Sequence, residues 1–138
     1  MKVEECFEKR LLRKIKPDNE KARKSLEMAY KKLELAKTSF EKELYDICIV
    51  YSYMAMFHSA RALLYKDGVQ EKSHACLVIY LKEKYADKIP YYLLQSLDVL
   101  RKERHEALYG LEYASTKDDA EMAIKDAEEF LEIVEGLL

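Results

Sequence analysis

A heptad repeat of apolar residues runs through residues 22–40, ARKSLEMAYKKLELAKTSF. Its apolar positions alternate in steps of four and three, which is the spacing of one face of an α-helix. Alanine occupies every seventh position from Ala22 to Ala36. Because alanine is small, a second helix can pack closely against this face, and we predict a tightly packed antiparallel neighbour. The repeat consists of Ala22, Leu26, Ala29, Leu33, Ala36 and Phe40.

The C-terminal segment carries the same pattern and is the best candidate for that neighbour. Ser115 or Thr116 is placed to cap its first turn. Asp118 and Asp119 follow, where acidic side chains favour the positive end of the helix dipole. Its apolar positions are Ala120, Ala123, Ala127, Phe130, Val134 and Leu137.

Three further helices are predicted between these two, and a short one precedes them. Residues 43–67 are apolar on nearly every side, which is typical of a central helix covered by neighbours or by a second subunit. Gly68 is placed to end that helix. A shorter helix covers residues 73–86, and Pro90 suits the first turn of a helix that runs to residue 113. The amphipathic N-terminal helix carries Phe7, Leu11, Leu12 and Ile15.

The composition favours an all-α fold. The 138 residues include only three Gly and two Pro, too few for the turns of a multi-stranded sheet. Apolar residues make up 49% and charged residues 36%, as in soluble amphipathic helices. No linker or low-complexity segment interrupts the pattern. We therefore predict one domain, residues 1–138, built as a bundle of five or six helices.

Charge and hydropathy exclude several classes of protein. Lys and Arg number 24 against 26 Asp and Glu, so binding to nucleic acid would need a local basic patch or a basic partner. The longest uncharged stretch, residues 47–60, is too short and too polar to span a bilayer. The N-terminus lacks the apolar core of a signal peptide. We predict no membrane association and a cytoplasmic location.

The cysteines and histidines give no sign of a metal site. The three cysteines, at positions 6, 48 and 76, are odd in number and lack CxxC spacing, so we expect all three to be reduced and two to lie in the core. The three histidines, at positions 58, 74 and 105, lack the spacing of metal ligands on a helix. No Gly-rich phosphate loop or nucleophile motif is present. The sequence therefore predicts no metal and no cofactor.

The helix after Pro90 carries an arginine on its apolar stripe. Arg104 follows the same step as the leucines on either side of it. Its guanidinium cannot lose its charge, so it needs acceptors or a cleft that reaches water. One interpretation is a structural ion pair or a side chain that extends to the surface. The other is a group at a cleft floor that binds an anion or contacts a phosphodiester. The apolar members of the stripe are Leu93, Leu97, Leu100, Ala107, Leu108 and Leu111.

Other polar side chains are candidates for the same cleft. Arg101, His105 and Tyr109 flank Arg104 toward one side of its helix. Asp46, near the start of the central helix, is a candidate carboxylate partner for an arginine.

The central helix offers a second wall for the cleft. His58 and Arg61 lie about one turn apart, on a face shared with Tyr51, Met54 and Tyr65. A lone histidine there is either a hydrogen-bonded core residue or, if it meets Arg104 across a helix pair, a functional one. We regard Tyr51, His58 and Arg61 as candidate ligand-binding residues beside Arg101 and Arg104.

Three motifs resemble the HEPN domain family (higher eukaryotes and prokaryotes nucleotide-binding). They are YMAMFHSARALL at residues 53–64, KSH at 72–74 and LRKERHEALYG at 100–110, and their order matches the family over about residues 20–136. The resemblance implies a compact up-and-down helical bundle, commonly a homodimer. Small prokaryotic members are often encoded beside a minimal nucleotidyltransferase. Many such pairs are toxin–antitoxin modules in which the HEPN member is a metal-independent ribonuclease with an Arg-x4-6-His motif.

The sequence departs from that ribonuclease motif. Four residues separate Arg104 from Tyr109, where the family has His, and only three separate Arg101 from His105. A tyrosine, with a pKa of about 10, is a poor proton carrier near neutral pH. Arg104, His105 and Tyr109 are therefore the catalytic residues only if an activity is retained.

Three hypotheses follow for the function. The first is a dimeric HEPN protein that binds a minimal nucleotidyltransferase and contributes to the binding of a nucleotide or RNA. The second is a metal-independent endoribonuclease toxin with a degenerate Arg-x4-6-His site. The third is a purely structural helical dimer. A separate prediction is a symmetric homodimer that buries part of the helices at 43–67 and 90–113, because the central helix is too apolar for a monomer unless other helices cover every side.

Overall fold

The computed structural model describes residues 1–138, and its six helices account for 75% of the chain. This confirms the predicted all-α HEPN-like bundle. In chain order the elements are α1 (Val3–Glu8), β1 (Leu12–Lys14), α2 (Asn19–Glu41), α3 (Tyr45–Asp67), β2 (Val69–Glu71), α4 (His74–Lys84), α5 (Tyr91–Tyr109) and α6 (Lys117–Leu137).

The heptad repeat forms the buried face of α2. Ala22, Ala29, Leu33 and Ala36 are buried, and the Asp18 side chain caps the helix by accepting a hydrogen bond from the Lys21 backbone N–H. The principal neighbour of α2 is α3, and α6 contacts it less extensively, contrary to our expectation. The tight turn after α2 is the reason, since it folds α3 straight back along α2.

The C-terminal helix α6 has its predicted cap and its predicted buried face. Thr116 and Asp119 form a reciprocal capping box at its start. The buried side chains of α6 include Phe130, Leu131 and Val134, and they join one continuous core to which all six helices contribute.

The central position of α3 is confirmed. Twelve of its residues are buried, and Gly68 ends it in the left-handed region at φ 81°. A side chain at residue 68 would meet the Ile15 carbonyl oxygen at 2.8 Å, so glycine is required there. The uncharged stretch 47–60 is predicted to be too short and too polar to span a bilayer, but the whole of α3 is long and apolar enough by length and composition alone. Core helices of soluble proteins share this property, and 67% of the most apolar part of α3 is buried inside the bundle.

The N-terminal segment differs from the predicted helix. Helix α1 ends at Glu8, and Arg10 adopts a left-handed conformation (φ 58°) that stops helical hydrogen bonding. Residues 12–14 then form β1, which pairs antiparallel with β2, Leu12 opposite Glu71 and Lys14 opposite Val69. The apolar spacing that suggested a helix through Ile15 arises from a turn followed by a short strand.

The prediction that all three cysteines are reduced was wrong. Cys6 on α1 and Cys76 on α4 form a disulfide, and only Cys48 is free. Packing of α1 against α4 brings the two Cα atoms to 5.9 Å, inside the range that a disulfide spans. Sequence spacing gave no sign of this contact, since 70 residues separate the pair. All three cysteines are buried.

Helix α5 is shorter than predicted and leaves the core before it ends. Pro90 occupies the N-cap position, one residue before the first turn, and the helix ends at Tyr109 instead of residue 113. Leu97 and Leu100 are buried, whereas Leu108 is 50% exposed and Leu111 is fully exposed. The predicted stripe is thus buried only over its first half, because the last turns project beyond the neighbouring helices.

Candidate anion-binding site

Arg104 lies where the buried stripe of α5 ends, against the central helix. Its guanidinium carbon is 5.4 Å from the centroid of the Tyr53 ring on α3. Its Nε atom is buried and has no hydrogen-bond partner, and no carboxylate lies within 4.0 Å of the side chain. Arg104 is therefore not part of a structural ion pair, and its charge has no charged partner within the chain.

The first residue of α4 lies beside the same tyrosine. Ser73 caps α4 by accepting a hydrogen bond from the Cys76 backbone N–H, and this places His74 at the start of the helix. Nδ1 of His74 is 2.7 Å from the Tyr53 hydroxyl, and the His74 ring stacks on Phe57 with centroids 4.1 Å apart. His74 is thus held between a hydrogen bond and an aromatic face.

The hydrogen bond selects one tautomer of His74. Tyr53 is only 1% exposed, and His74 is the one partner of its hydroxyl. If Nδ1 carried the proton, the tyrosine O–H would be buried without an acceptor, which is costly. The Tyr53 hydroxyl therefore donates to Nδ1, and the proton of the neutral ring is on Nε2.

Arg104, Tyr53, Phe57 and His74 form one cluster, in which burial keeps both His74 and Tyr53 uncharged. Burial, followed by the charge of Arg104, lowers the pKa of His74 below its ordinary value. Burial raises the pKa of Tyr53 well above 10.0, outweighing the opposing effect of Arg104. Neither side chain can neutralise the guanidinium, so Arg104 keeps an uncompensated positive charge.

Arg61, a predicted ligand-binding residue, has a structural role on the other side of Phe57. Its Nε donates to Oε1 of Glu71 at 2.8 Å, and its guanidinium carbon is 4.7 Å from the Phe57 ring centroid. The Glu71 side chain is 3% exposed. Because Glu71 is buried at the end of β2, this ion pair joins α3 to the strand that leads into α4.

Arg101 adds positive charge at the edge of the cluster. Its Nε is 3.1 Å from Oδ1 of Asp98, one turn earlier on α5. The same carboxylate is also 3.9 Å from Lys82 and 3.9 Å from Lys102. One aspartate is thus shared by three cations and cannot neutralise all of them.

His58 and Tyr51 belong to a different surface, between α3 and α2. The predicted half-buried face of α3 is present, but its contacts are with α2: Ser25 donates to the His58 carbonyl oxygen, and Lys32 Nζ is 5.9 Å from the Tyr51 ring centroid. Burial, then the charge of Arg61, lowers the pKa of His58 to about 4.

Asp46 does not bind an arginine. It accepts a hydrogen bond from the Ser115 backbone N–H at 2.8 Å and so fixes the start of α3 to the loop before α6.

The remaining predicted catalytic residues, His105 and Tyr109, face solvent. Their rings are 5.1 Å apart, one turn apart on α5, and Tyr109 is 69% exposed. The contacts of this pair and those of Arg104 with Tyr53 have no residue in common. Within one chain, the structure does not unite the degenerate ribonuclease motif into one site.

Three residues in or beside the observed cluster were missed as site residues: Tyr53, Glu71 and His74. Each lies far from Arg104 in the sequence, and helical spacing cannot join residues on different elements. The KSH motif at 72–74 was the available signal, because its serine is a helix cap that fixes the position of the following histidine. No group of three or more His, Cys, Asp or Glu side chains is arranged to hold a metal ion.

With its geometry established, the chain can be placed in a class. The family model of the HEPN domain matches residues 22–137, and the chain belongs to the HEPN domain family. A protein of Methanocaldococcus jannaschii named as a candidate toxin is 29% identical over 121 residues, covering 82% of this chain and 85% of that protein. A UPF0332 protein of Archaeoglobus fulgidus is 33% identical over 109 residues, covering 75% of this chain and 84% of that protein.

Proposed function

We propose that this chain is the HEPN member of a cytoplasmic toxin–antitoxin-like pair, in which it binds a minimal nucleotidyltransferase. We further propose that Arg104 binds a phosphate group of a nucleotide or of RNA. The observation that carries this proposal is the guanidinium of Arg104, which is partly buried and lacks any carboxylate partner. The toxin name of the Methanocaldococcus relative supports the toxin–antitoxin context.

The chemistry of the cluster suits phosphate binding better than proton transfer. Arg104 supplies a charged donor, and Nε2 of His74 supplies a neutral one, a combination that phosphate oxygens accept. A general base would need a free lone pair within reach of the substrate. Nδ1 of His74 already accepts from Tyr53, so the ring cannot take up a proton there without breaking a buried hydrogen bond.

A metal-independent endoribonuclease is the second candidate. One observation favours a ribonuclease: Tyr53 contacts both Arg104, which lies over its ring, and the imidazole of His74, which is hydrogen-bonded to its hydroxyl. A purely structural role is disfavoured, because it requires Arg104 to form a closed ion pair.

We also propose that the chain forms a homodimer through the projecting end of α5. Leu108 and Leu111 are exposed there, and Leu44 and Ile47, at the start of α3, are more than 40% exposed beside a depression of about 340 Å³. A second copy would cover these apolar side chains. Light scattering of wild type against Leu111→Glu tests this: a wild-type dimer that the substitution dissociates supports the proposal, and a wild-type monomer contradicts it.

The phosphate-binding proposal is tested with one substitution and one matched control. Arg104→Gln removes the charge but retains a polar side chain, whereas Arg23→Gln removes an exposed charge from α2. Calorimetry with ATP and with a short RNA should show binding to wild type and Arg23→Gln, and at least tenfold weaker binding to Arg104→Gln. Coexpression with a minimal nucleotidyltransferase encoded beside the gene, followed by pull-down, tests the partner. Absence of both interactions would contradict the proposal.

RNA cleavage in the presence of EDTA separates the two candidate functions. A binding protein gives no cleavage above background. An endoribonuclease would give cleavage in wild type that is lost in both Arg104→Gln and His74→Gln. His105→Ala is included because His105 belongs to the degenerate motif.

A further inference from the structure

A basic surface lies on the N-terminal side of the molecule, and most of its cations precede the segment that matches the family. Residues 9–16 carry five cationic side chains and no acidic one, in a chain whose net charge is −2. Three of these cations, Arg10, Arg13 and Lys14, lie close to Lys72, which follows β2. We call Arg10, Arg13, Lys14 and Lys72 the basic ribbon.

The basic ribbon surrounds a depression of about 670 Å³. No carboxylate lines this depression, and none of the four cations lies within 4.0 Å of an acidic group. The charges are therefore available to a ligand. The remaining lining residues are Phe7, Leu12 and Gln70.

The strand register explains why two of the cations, Arg13 and Lys72, lie on one face. Lys14, paired with Val69, falls on the other side at the end of β1, and Arg10 precedes the strand. Arg13 pairs with Gln70, so their side chains point to the same side of the two strands. Lys72 is two residues beyond Gln70 and lies on that side too. Leu12 and Glu71, the neighbouring pair, are buried on the opposite side. The pairing thus separates a polar, cationic outer face from an inner face that packs on the bundle.

Arg10 occupies a backbone conformation that favours glycine. Its φ is 58°, immediately after the end of α1, where a glycine commonly ends a helix. A glycine at this position would relieve the backbone and remove the charge together. The position therefore offers a substitution that separates the effect of charge from the effect of folding.

We propose that the basic ribbon binds a single-stranded nucleic acid through its phosphates, at a site distinct from the Arg104 cluster. Two guanidinium forks and two ammonium groups match a chain of phosphates, and the Gln70 amide and the Phe7 ring supply a hydrogen bond and a stacking face for a base. An acidic protein would be held mainly by the cations, without a base to stack on the Phe7 ring.

The two sites have no residue in common, and this proposal does not depend on the proposed function. Loss of binding at Arg104 would leave the basic ribbon intact. The substitutions below leave every member of the Arg104 cluster in place.

The test is fluorescence anisotropy with labelled oligouridylate and oligothymidylate of about 12 nucleotides, from about 50 to about 200 mM salt. Arg13→Ser/Lys72→Ser removes two cations of the basic ribbon. Lys31→Ser/Lys125→Ser removes two exposed, unpaired cations elsewhere and gives the same net charge. Arg10→Gly is the variant in which folding is not impaired, and thermal unfolding is measured for all of them.

We expect the wild type and the Lys31/Lys125 variant to bind with similar affinity. The Arg13/Lys72 variant should bind about tenfold more weakly at low salt, and its log–log salt slope should fall by about 1.4, since each contact contributes about 0.7. Arg10→Gly should weaken binding about threefold with an unchanged or higher melting temperature. Binding of either oligonucleotide with this dependence supports the proposal.

Three results would overturn the proposal. The first is that wild type binds neither oligonucleotide. The second is an equal loss in the two double variants, which would mean that only net charge matters. The third is that polyglutamate binds at the basic ribbon and the oligonucleotides do not, which would assign this surface to an acidic protein.

Discussion

The Tyr53 hydroxyl lies 2.7 Å from Nδ1 of His74 and joins the middle of α3 to the first residue of α4. Both partners contact a further cluster residue, since Tyr53 lies under Arg104 and His74 stacks on Phe57. A single buried hydroxyl therefore determines which nitrogen of His74 is left to face a ligand.

Tyr53→Phe should release His74 from its fixed tautomer. Loss of one buried hydrogen bond should lower the free energy of unfolding by about 1 kcal/mol. Long-range 1H–15N spectra should show the Nε2–H tautomer in wild type and a mixture in the variant. The same single tautomer in both proteins would contradict the geometry described here.

Removal of one partner of the Arg61–Glu71 ion pair should be strongly destabilising, although the intact pair adds little net stability. Arg61→Met leaves the buried Glu71 carboxylate without its charged partner, with only a long hydrogen bond from Gln70 Nε2 (3.4 Å), and should cost about 3 kcal/mol in urea unfolding. Arg61→Met/Glu71→Gln should recover much of that loss, because the buried charge is removed as well. No recovery would mean that the packing of Arg61 on Phe57, and not the charge, is what stabilises this region.

Arg104→Met, unlike Arg61→Met, should not lower the free energy of unfolding. The guanidinium has no carboxylate partner and its Nε has no hydrogen bond, so its removal should leave the free energy of unfolding unchanged or raise it by about 1 kcal/mol. Urea unfolding beside Arg61→Met provides the comparison. A loss as large as that of Arg61→Met would mean that Arg104 is a structural residue.

Stability should fall as the solution becomes acidic below pH 6.5. The pKa of His58 is lowered from 6.5 to about 4, so the unfolded chain binds a proton between these values and the folded chain does not. With allowance for the partial exposure of His58, the loss between pH 7 and pH 5 should be about 1 kcal/mol. Urea midpoints should show a shallower pH dependence for His58→Gln, while the exposed His105→Gln serves as control. If stability depends on pH in His58→Gln as steeply as in wild type, protonation of His58 is not the cause of the acid destabilisation.

Thiol counting should detect one free cysteine in unreduced, denatured protein and three after reduction. Cys6→Ser/Cys76→Ser should lower the free energy of unfolding by about 2 to 4 kcal/mol, because the disulfide closes a long loop in the unfolded chain. Cys48→Ala, measured under the same oxidising conditions, is the comparison. Three free thiols without reductant would exclude the Cys6–Cys76 bond.

The bundle could be predicted from the sequence because its signals are local. The repeat in α2, the cap of α6 and the glycine after α3 each depend on residues within one element. The turn at Arg10 could not be found in this way, because a left-handed arginine has no distinctive sequence. The β1–β2 pairing and the disulfide also escaped, since both join segments far apart in the chain.

The site was predicted only in part, for the same reason. Arg104 was identified because it interrupts an apolar stripe on one helix, and a charge in that position needs an explanation. His58 was a candidate partner because it shares a face of the central helix with Arg61 and two tyrosines, yet His58 lies beside α2, and the fold brings His74 to Tyr53 instead. Which residues meet across helices depends on packing, which periodicity does not specify.

The β1–β2 pairing has a consequence for the order of folding. It joins residues 12–14 to residues 69–71, with the whole α2–α3 hairpin between them. The hairpin can form from contacts close in sequence, whereas the strands can pair only after it has brought their ends together. Amide exchange should therefore find that β1 and β2 open before the helices do. The depression lined by the basic ribbon would then open and close while the helical core remains folded.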